Sequence, residues 1–181
     1  MKLPYGLPPA FVAQAGTSEE WASYLRRLPR LADELTDEWD LAYDGSPAYG
    51  RSGLVLPVLT REGQQGMLKI GFPHADGTGE PLALQLWGGR GAVELWRADP
   101  RRSALLLERL DPEDLTGVDV LEACDVVGGL YGLLHRPPTP RLTDLRTLVA
   151  GWLEDLRALP RDAVPGRFVE QALAAAPRLL A

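Results

Sequence analysis

Lys69 and Glu80 are the two residues whose types and spacing point most directly to chemistry. The 19 basic residues comprise 17 arginines, the terminal Lys2 and Lys69, which lies in the apolar run Gly66–Phe72. Glu80 follows 11 residues later, at the start of a predicted helix. A lysine on a strand can bind phosphate oxygens, and a glutamate on the next helix can hold its ammonium group in place. The alternatives are an edge-strand lysine with its ammonium in water and an unrelated surface carboxylate.

A glycine-rich segment precedes this lysine. Gly45–Ser52 differs by one residue from the P-loop pattern, because Arg51 stands where a P-loop has lysine. A P-loop must also open a helix, whereas Leu54–Leu59 has the pattern of a strand. We therefore predict a loop between antiparallel strands that covers nucleotide phosphates with backbone amides, the alternative being an ordinary hairpin loop. The predicted phosphate-covering residues are Tyr49, Gly50, Arg51, Ser52 and Gly53.

The end of the last predicted strand is a third candidate. Ser103–Glu108 is largely apolar and turns polar just before a region that is helical throughout. A hinge at such a point can present its backbone groups to the edge of an adenine ring. An ordinary strand end is the alternative. The predicted hinge residues are Glu108, Arg109, Leu110 and Asp111.

Other reactive side chains favour structural interpretations. Cys124 lies on an apolar helix face and is predicted to be a small buried residue. His135 ends the same helix, where it can interact with the helix dipole. A solvated helix face is favoured over an acidic, aromatic site for a cationic substrate at Trp152, Glu154 and Asp155. No Gly-x-Ser-x-Gly elbow or His-Glu-x-x-His zinc motif occurs.

Hydrophobic periodicity predicts the elements that would position these residues. A first helix is expected from Thr17 to about Leu35, capped by Thr17 or Ser18, with Pro29 as the place of a kink or break. The predicted strands are Glu38–Tyr43, Leu54–Leu59, Met67–Phe72, Gly91–Arg97 and Ser103–Glu108. The predicted later helices are Glu80–Trp87, Val118–His135, Leu142–Leu159 and Pro165–Leu179.

This order of elements predicts an α+β fold with a five-stranded antiparallel sheet, and not a βαβ repeat. Pro57 places the second strand at a sheet edge or at a bulge.

Composition limits the possible functions. The chain has 181 residues, a net charge of −6 and a pI near 5.0, which argues against a nucleic-acid binder with a basic surface. One cysteine excludes a disulfide framework within the chain, and two histidines leave little for a histidine-rich metal centre. No apolar run reaches the roughly 18 residues of a membrane span, and no signal peptide is visible. We expect a cytoplasmic protein without nucleic-acid or membrane partners.

The motifs, taken in order, resemble the aminoglycoside/hydroxyurea phosphotransferase family, which includes the streptomycin 6-kinases. The resemblance implies a protein-kinase-like N-lobe, ATP as the phosphate donor and an antibiotic hydroxyl as the acceptor. It implies that Lys69 binds the α- and β-phosphates, that Glu80 orients Lys69, and that residues 49–53 and 108–111 contact the nucleotide. The resembling segments are Trp39–Leu41, Gly53–Val58, Leu68–Ile70, Glu80–Trp87, Gly89–Val93, Leu105–Leu110 and Leu134–Pro137.

Members of this family continue into a helical lobe with a His-Gly-Asp-type catalytic loop, a nearby Asn and a metal-binding Asp. Neither His74-Ala75-Asp76 nor His135-Arg136-Pro137 matches that loop. We therefore predict an N-lobe at residues 1–112 and the helical start of a truncated C-lobe at 113–181, inactive as given, with Mg²⁺ expected only alongside the missing part. The alternative is a naturally truncated, non-catalytic kinase-like module that binds a nucleotide or a protein.

Overall fold

The computed structural model of the chain describes residues 6–13, 18–50, 52–73, 79–137, 139–160 and 162–180. The chain forms two compact units, residues 1–136 and 137–181. The lobe boundary near residue 112 stays a prediction.

The first unit combines an antiparallel sheet with helices, which confirms the predicted α+β fold class. Its helices are α1 (Pro9–Val12), α2 (Glu19–Glu38), α3 (Glu80–Trp87) and α4 (Val120–Leu134), with a short 3₁₀ turn at Leu115–Gly117. Its strands are β1 (Ala42–Tyr43), β2 (Ala48–Tyr49), β3 (Gly53–Leu59), β4 (Gln65–Gly71), β5 (Leu95–Asp99) and β6 (Ala104–Glu108).

The sheet has six strands where five were predicted. The strand order is β1-β3-β4-β6-β5, and the short β2 also pairs with β3. β4 therefore lies inside the sheet, so the interpretation of Lys69 as an edge-strand lysine is wrong. The sixth strand, β2, forms within the segment that was predicted to be an irregular loop, because Ala48 and Tyr49 pair with Val55 and Leu54.

The predicted strand Glu38–Tyr43 is mostly the end of a helix. α2 continues to Glu38, and the Leu41 amide then donates to the Thr36 carbonyl at 2.9 Å across Asp40, whose φ is 52°. This is a Schellman-type helix end. Trp39 and Leu41 are both buried, as the alternating pattern predicted, but they flank a left-handed turn and only Ala42–Tyr43 is a strand.

The fourth predicted strand also begins later than expected. β5 starts at Leu95. The residue before it, Glu94, bonds to both the side chain and the backbone of Glu108. The Glu94 amide donates to the Glu108 carboxylate at 2.8 Å, and the Glu94 carbonyl accepts from the Glu108 amide at 3.1 Å. The preceding Ala92 and Val93 pack against the sheet without joining it.

Pro57 lies at a gap in the strand pairing along the outer side of β3, between the residues paired with β1 and those paired with β2. β1 pairs with Val58 and Leu59, and β2 pairs with Leu54 and Val55, so the chain between the two short strands leaves Pro57 without a strand partner on that side. The Pro57 carbonyl still accepts from the Asp44 amide at 2.9 Å. A residue that cannot donate a backbone hydrogen bond is tolerated at such a gap.

α2 covers one face of the sheet and forms the main core. Ser18 caps it by accepting from the Trp21 amide at 3.2 Å. The helix runs through Pro29 without the predicted break. Leu28 and Ala32, on either side of that proline, are fully buried, and this packing offsets the lost backbone bond. The sheet residues buried in the same cluster are Leu54, Leu56, Val58, Leu68, Ile70, Ala104 and Leu106.

The later helices present much of their apolar surface to solvent. The second unit contains α5 (Leu145–Ala158) and α6 (Gly166–Leu179). No described residue of α4, α5 or α6 is buried. Cys124 on α4 is accordingly exposed, so its predicted burial is wrong. Among the described residues, no helix is long and apolar enough to cross a bilayer.

Leu28→Ala tests the packing of α2 on the sheet. Leu28 is fully buried, so we expect the substitution to lower the free energy of unfolding by about 2–5 kcal/mol. Urea unfolding followed by tryptophan fluorescence measures the loss. Leu86→Ala on α3 is the matched control, because Leu86 is 41% exposed. Equal losses in both variants would contradict the assigned core.

Candidate functional site

An ion pair between β4 and α3 is the centre of the candidate site. The Lys69 Nζ lies 2.5 Å from the Glu80 Oε1. The two side chains are 28% and 37% exposed, so the pair borders solvent and its charged groups stay accessible. The predicted partnership is therefore present in the structure, and Glu80 is not an unrelated carboxylate.

The register of the sheet fixes where Lys69 emerges. Lys69 lies opposite Val55 on β3 and Leu105 on β6. Directly opposed residues share a face, so these three side chains lie on one side of the sheet. The neighbours of Lys69 along β4, Leu68 and Ile70, lie on the other side and are fully buried against α2. Their burial prevents a slip of the strand that would turn Lys69 inward.

Tyr24 fixes the same strand from α2. Its hydroxyl donates a 2.7 Å hydrogen bond to the carbonyl of Ile70, the residue after Lys69. Burial raises the pKa of Tyr24 well above the usual value for a phenol, so the hydroxyl keeps its proton and remains a donor. The backbone at the lysine is thus held by a side chain from the opposite face.

α3 is anchored independently of the ion pair. Leu84 packs on Leu105 and Leu107, and the Trp87 indole Nε1 donates to the Leu134 carbonyl at 2.9 Å. The helix ends as predicted at Gly88, whose φ of 56° is the left-handed conformation that glycine adopts without strain. With its far end held in this way, α3 presents Glu80 in its first turn, directly above Lys69.

The predicted phosphate-covering segment is the tip of the β2–β3 hairpin. The Gly50 amide donates to the Gly53 carbonyl at 3.0 Å and closes a tight turn, and the Ser52 carbonyl accepts from the Phe72 amide at 2.6 Å. A Cβ at Gly53 would lie 2.8 Å from the Ile70 carbonyl oxygen, so this position requires glycine. Tyr49 is exposed beside Phe11, and Arg51 lies outside the described residues.

The hairpin tip and the predicted hinge lie on opposite sides of Lys69 along the direction of β4. Gly53 pairs with Gly71, two residues beyond Lys69, which corresponds to about 7 Å along the strand. Glu108 pairs with Gly66, three residues before Lys69, or about 10 Å in the other direction. Val55 and Met67 are half-buried on the lysine's face of the sheet and form an apolar surface beside it. The arrangement therefore offers a charged group between an apolar surface and a glycine-rich turn.

The predicted hinge residues differ in their side-chain contacts and in their exposure to solvent. The Glu108 carboxylate accepts from the Glu94 amide, while Leu110 and Asp111 are exposed. The Arg109 side chain folds back over the sheet: its Nη1 lies 2.8 Å from the Asp44 Oδ2, and its Nη2 donates to the Val58 carbonyl at 3.1 Å and the Gly66 carbonyl at 3.4 Å. Arg109 is thus a clamp on the strand ends.

Sequence reasoning missed this clamp and the apolar surface. The clamp joins residues 65 positions apart, and no local pattern marks such a pair. Val55 and Met67 could have been found from period-two alternation, because once Lys69 is placed on one face, residues two apart and directly opposite must share it. Trp152, Glu154 and Asp155 are exposed on α5. Within the described ranges, no group of three His, Cys, Asp or Glu side chains is placed to hold a metal.

Comparison with known proteins gives consistent matches. The family model for aminoglycoside/hydroxyurea antibiotic resistance kinases matches residues 38–181. The chain is 38% identical over 141 residues to a streptomycin 6-kinase of Streptomyces glaucescens, which covers 76% of this chain and 46% of the relative.

Two further relatives have similar values. A streptomycin 6-kinase of Streptomyces griseus is 37% identical over 76% of this chain and 45% of its own length. A hydroxyurea phosphotransferase of Kitasatospora aureofaciens is 37% identical over 72% of this chain and 40% of its own length. The chain thus spans less than half the length of these relatives. The match covers the sheet, the Lys69–Glu80 pair and the helices that follow, and the chain belongs to the aminoglycoside/hydroxyurea antibiotic resistance kinase family.

Proposed function

We propose that this chain is the nucleotide-binding portion of an ATP-dependent small-molecule O-phosphotransferase. The observation that carries the proposal is the ion pair between Lys69 on the internal strand β4 and Glu80 in the first turn of α3. In kinases, a strand lysine held by a helix glutamate positions the phosphates of ATP. Membership of a kinase family supports reading this pair in the same way.

In the proposed role, Lys69 contributes a fixed positive charge to the α- and β-phosphates. Glu80 holds the ammonium over the sheet when no phosphate is present and keeps its direction when one binds. Phosphoryl transfer depends on positioning and on charge neutralisation, and little covalent chemistry is required of the protein. A partly exposed pair suits this role, because a phosphate can reach the ammonium without breaking a buried salt bridge.

The remaining nucleotide contacts are proposed on either side of Lys69. The amides at the Tyr49–Gly53 tip would cover the phosphates, and Val55 and Met67 would pack against the adenine. The backbone of Glu108–Asp111 would bind the adenine edge. The Arg109 side chain is used by the strand ends, so its part in the hinge is to hold the backbone in place.

We propose that binding of the phosphate acceptor and the transfer step both require the whole enzyme. Relatives named as streptomycin 6-kinases and a hydroxyurea phosphotransferase support an antibiotic hydroxyl or a similar group as the acceptor. Because the sequence contains no His-Gly-Asp-type loop, we propose that residues 1–181 alone bind ATP without transferring its phosphate. Mg²⁺ would enter with residues that this chain does not contain. A cytoplasmic location is part of the proposal, since ATP is the donor.

Lys69→Ala tests the nucleotide site. We expect it to weaken ATP binding by about tenfold or more, because one charged hydrogen-bonding group is worth about 1.5–3 kcal/mol. Isothermal titration calorimetry at a fixed salt concentration measures the affinity. Glu80→Gln should give a smaller loss, since the lysine charge remains but is no longer held.

Arg61→Ala is the matched control for these variants. Arg61 is an exposed cation in the β3–β4 turn of the same sheet, so its removal tests for a general charge effect. Unchanged ATP affinity in Lys69→Ala, or an equal loss in Arg61→Ala, would contradict the assigned role of Lys69.

The second test concerns catalysis by the chain as given. Purified residues 1–181, incubated with ATP, Mg²⁺ and streptomycin, are expected to yield no phosphorylated antibiotic by mass spectrometry. The streptomycin 6-kinase of Streptomyces glaucescens serves as the positive control. Product formed by the 181-residue chain would refute the proposal that this chain binds ATP without transferring its phosphate. Loss of that product in the Lys69→Ala variant would still support the nucleotide site.

A further inference from the structure

A second polar cleft lies on the α2 side of the sheet, away from the face that carries Lys69. It has a volume of about 370 Å³ and is bounded by α2, the end of β4 and the turn between β5 and β6. Four arginines line it, Arg27 and Arg30 from the helix and Arg101 and Arg102 from the turn. Such a concentration of guanidinium groups is notable in a chain whose net charge is −6.

Two of these arginines are already neutralised. The Arg30 Nε lies 2.7 Å from the Glu34 Oε1, and Glu34 also lines the cleft. Arg102 bonds to Asp99 through its Nε at 2.5 Å and to Glu38 through its Nη2 at 2.7 Å. Of these pairs, Arg102–Glu38 joins the β5–β6 turn to the end of α2.

The other two arginines have no such partner. Within the part of the chain that the structure describes, neither Arg27 nor Arg101 has a carboxylate within salt-bridge distance. Among the described residues, Arg27 makes one hydrogen bond, from its Nε to the Ser23 carbonyl at 3.3 Å. As far as the described residues go, its terminal amino groups and the Arg101 guanidinium are therefore available to a ligand. Arg27 and Arg101 are thus the two arginines of the cleft that no carboxylate of the described residues pairs with.

We propose that this cleft binds a small organic phosphate monoester. A phosphate monoester carries a charge of about −1.5 to −2 at neutral pH, which matches Arg27 and Arg101 together, whereas a single carboxylate would neutralise only one of them. The planar guanidinium group is suited to bidentate contacts with phosphate oxygens. Leu31, Pro73 and the Tyr24 ring supply an apolar wall for the organic part. The volume lies within the range of about 300–1,000 Å³ that is typical of small-molecule sites.

This site is separate from the nucleotide site. Lys69 lies on the sheet face shared with Val55 and Leu105, while α2 covers the opposite face. Neither Lys69 nor Glu80 is among the described residues that line the cleft. The proposal therefore stands or falls independently of the assignment of Lys69.

Calorimetric titration with glycerol phosphate at low salt tests the proposal. We expect saturable binding, weakened by about tenfold in each of Arg27→Ala and Arg101→Ala, since each removes one charged donor. Both side chains are exposed, so neither substitution disturbs the core. Arg26→Ala is the matched control: Arg26 is adjacent on α2 but pairs with Glu19 and does not line the cleft. Arg26→Ala and Lys69→Ala are both expected to bind like the unmodified chain.

Inorganic phosphate and glycerol complete the comparison. Weaker binding of inorganic phosphate than of glycerol phosphate, with no binding of glycerol, supports a phosphate ester as the ligand. Equal binding of both phosphates would overturn the assignment to an ester. Absence of saturable binding at millimolar concentrations, an equal loss in Arg26→Ala, or a loss only in Lys69→Ala would overturn the site itself.

Discussion

The alternation of side chains along β4 is the constraint on which the rest of this structure depends. Leu68 and Ile70 must be buried under α2, and the residue between them must then face the other way. That residue is Lys69. The same hydrophobic burial that stabilises the core therefore determines the direction of the one internal lysine, and α3 needs only to bring a carboxylate to the place where the ammonium already lies.

Much of this could be predicted from the sequence because the relevant signals are local. The bounds of α3 follow from Pro81 in its first turn and Gly88 at its end, and they agree with the structure. The order of strand and helix around Lys69 was predicted from hydrophobic periodicity together with such helix-end residues. The pairing of Lys69 with Glu80 was predicted as a conjunction of weak signals, and the structure brings the two side chains together.

The errors arise where a local pattern has two physical explanations. Trp39 and Leu41 alternate with polar residues because a helix end and a left-handed turn bury both of them, and a strand would give the same spacing. Cys124 was predicted to be buried because its helix is apolar, yet a helical pattern does not say whether a partner covers it. The Arg109–Asp44 contact was invisible because it depends on tertiary proximity alone.

The contact between Arg109 and Asp44 also joins distant parts of the chain. Arg109 joins the end of β6 to the Val58 and Gly66 carbonyls of β3 and β4 and to Asp44 at the end of β1. The first residue after the sheet is therefore held to three strands by a single side chain. One guanidinium group thus joins parts of the chain that lie up to 65 positions apart.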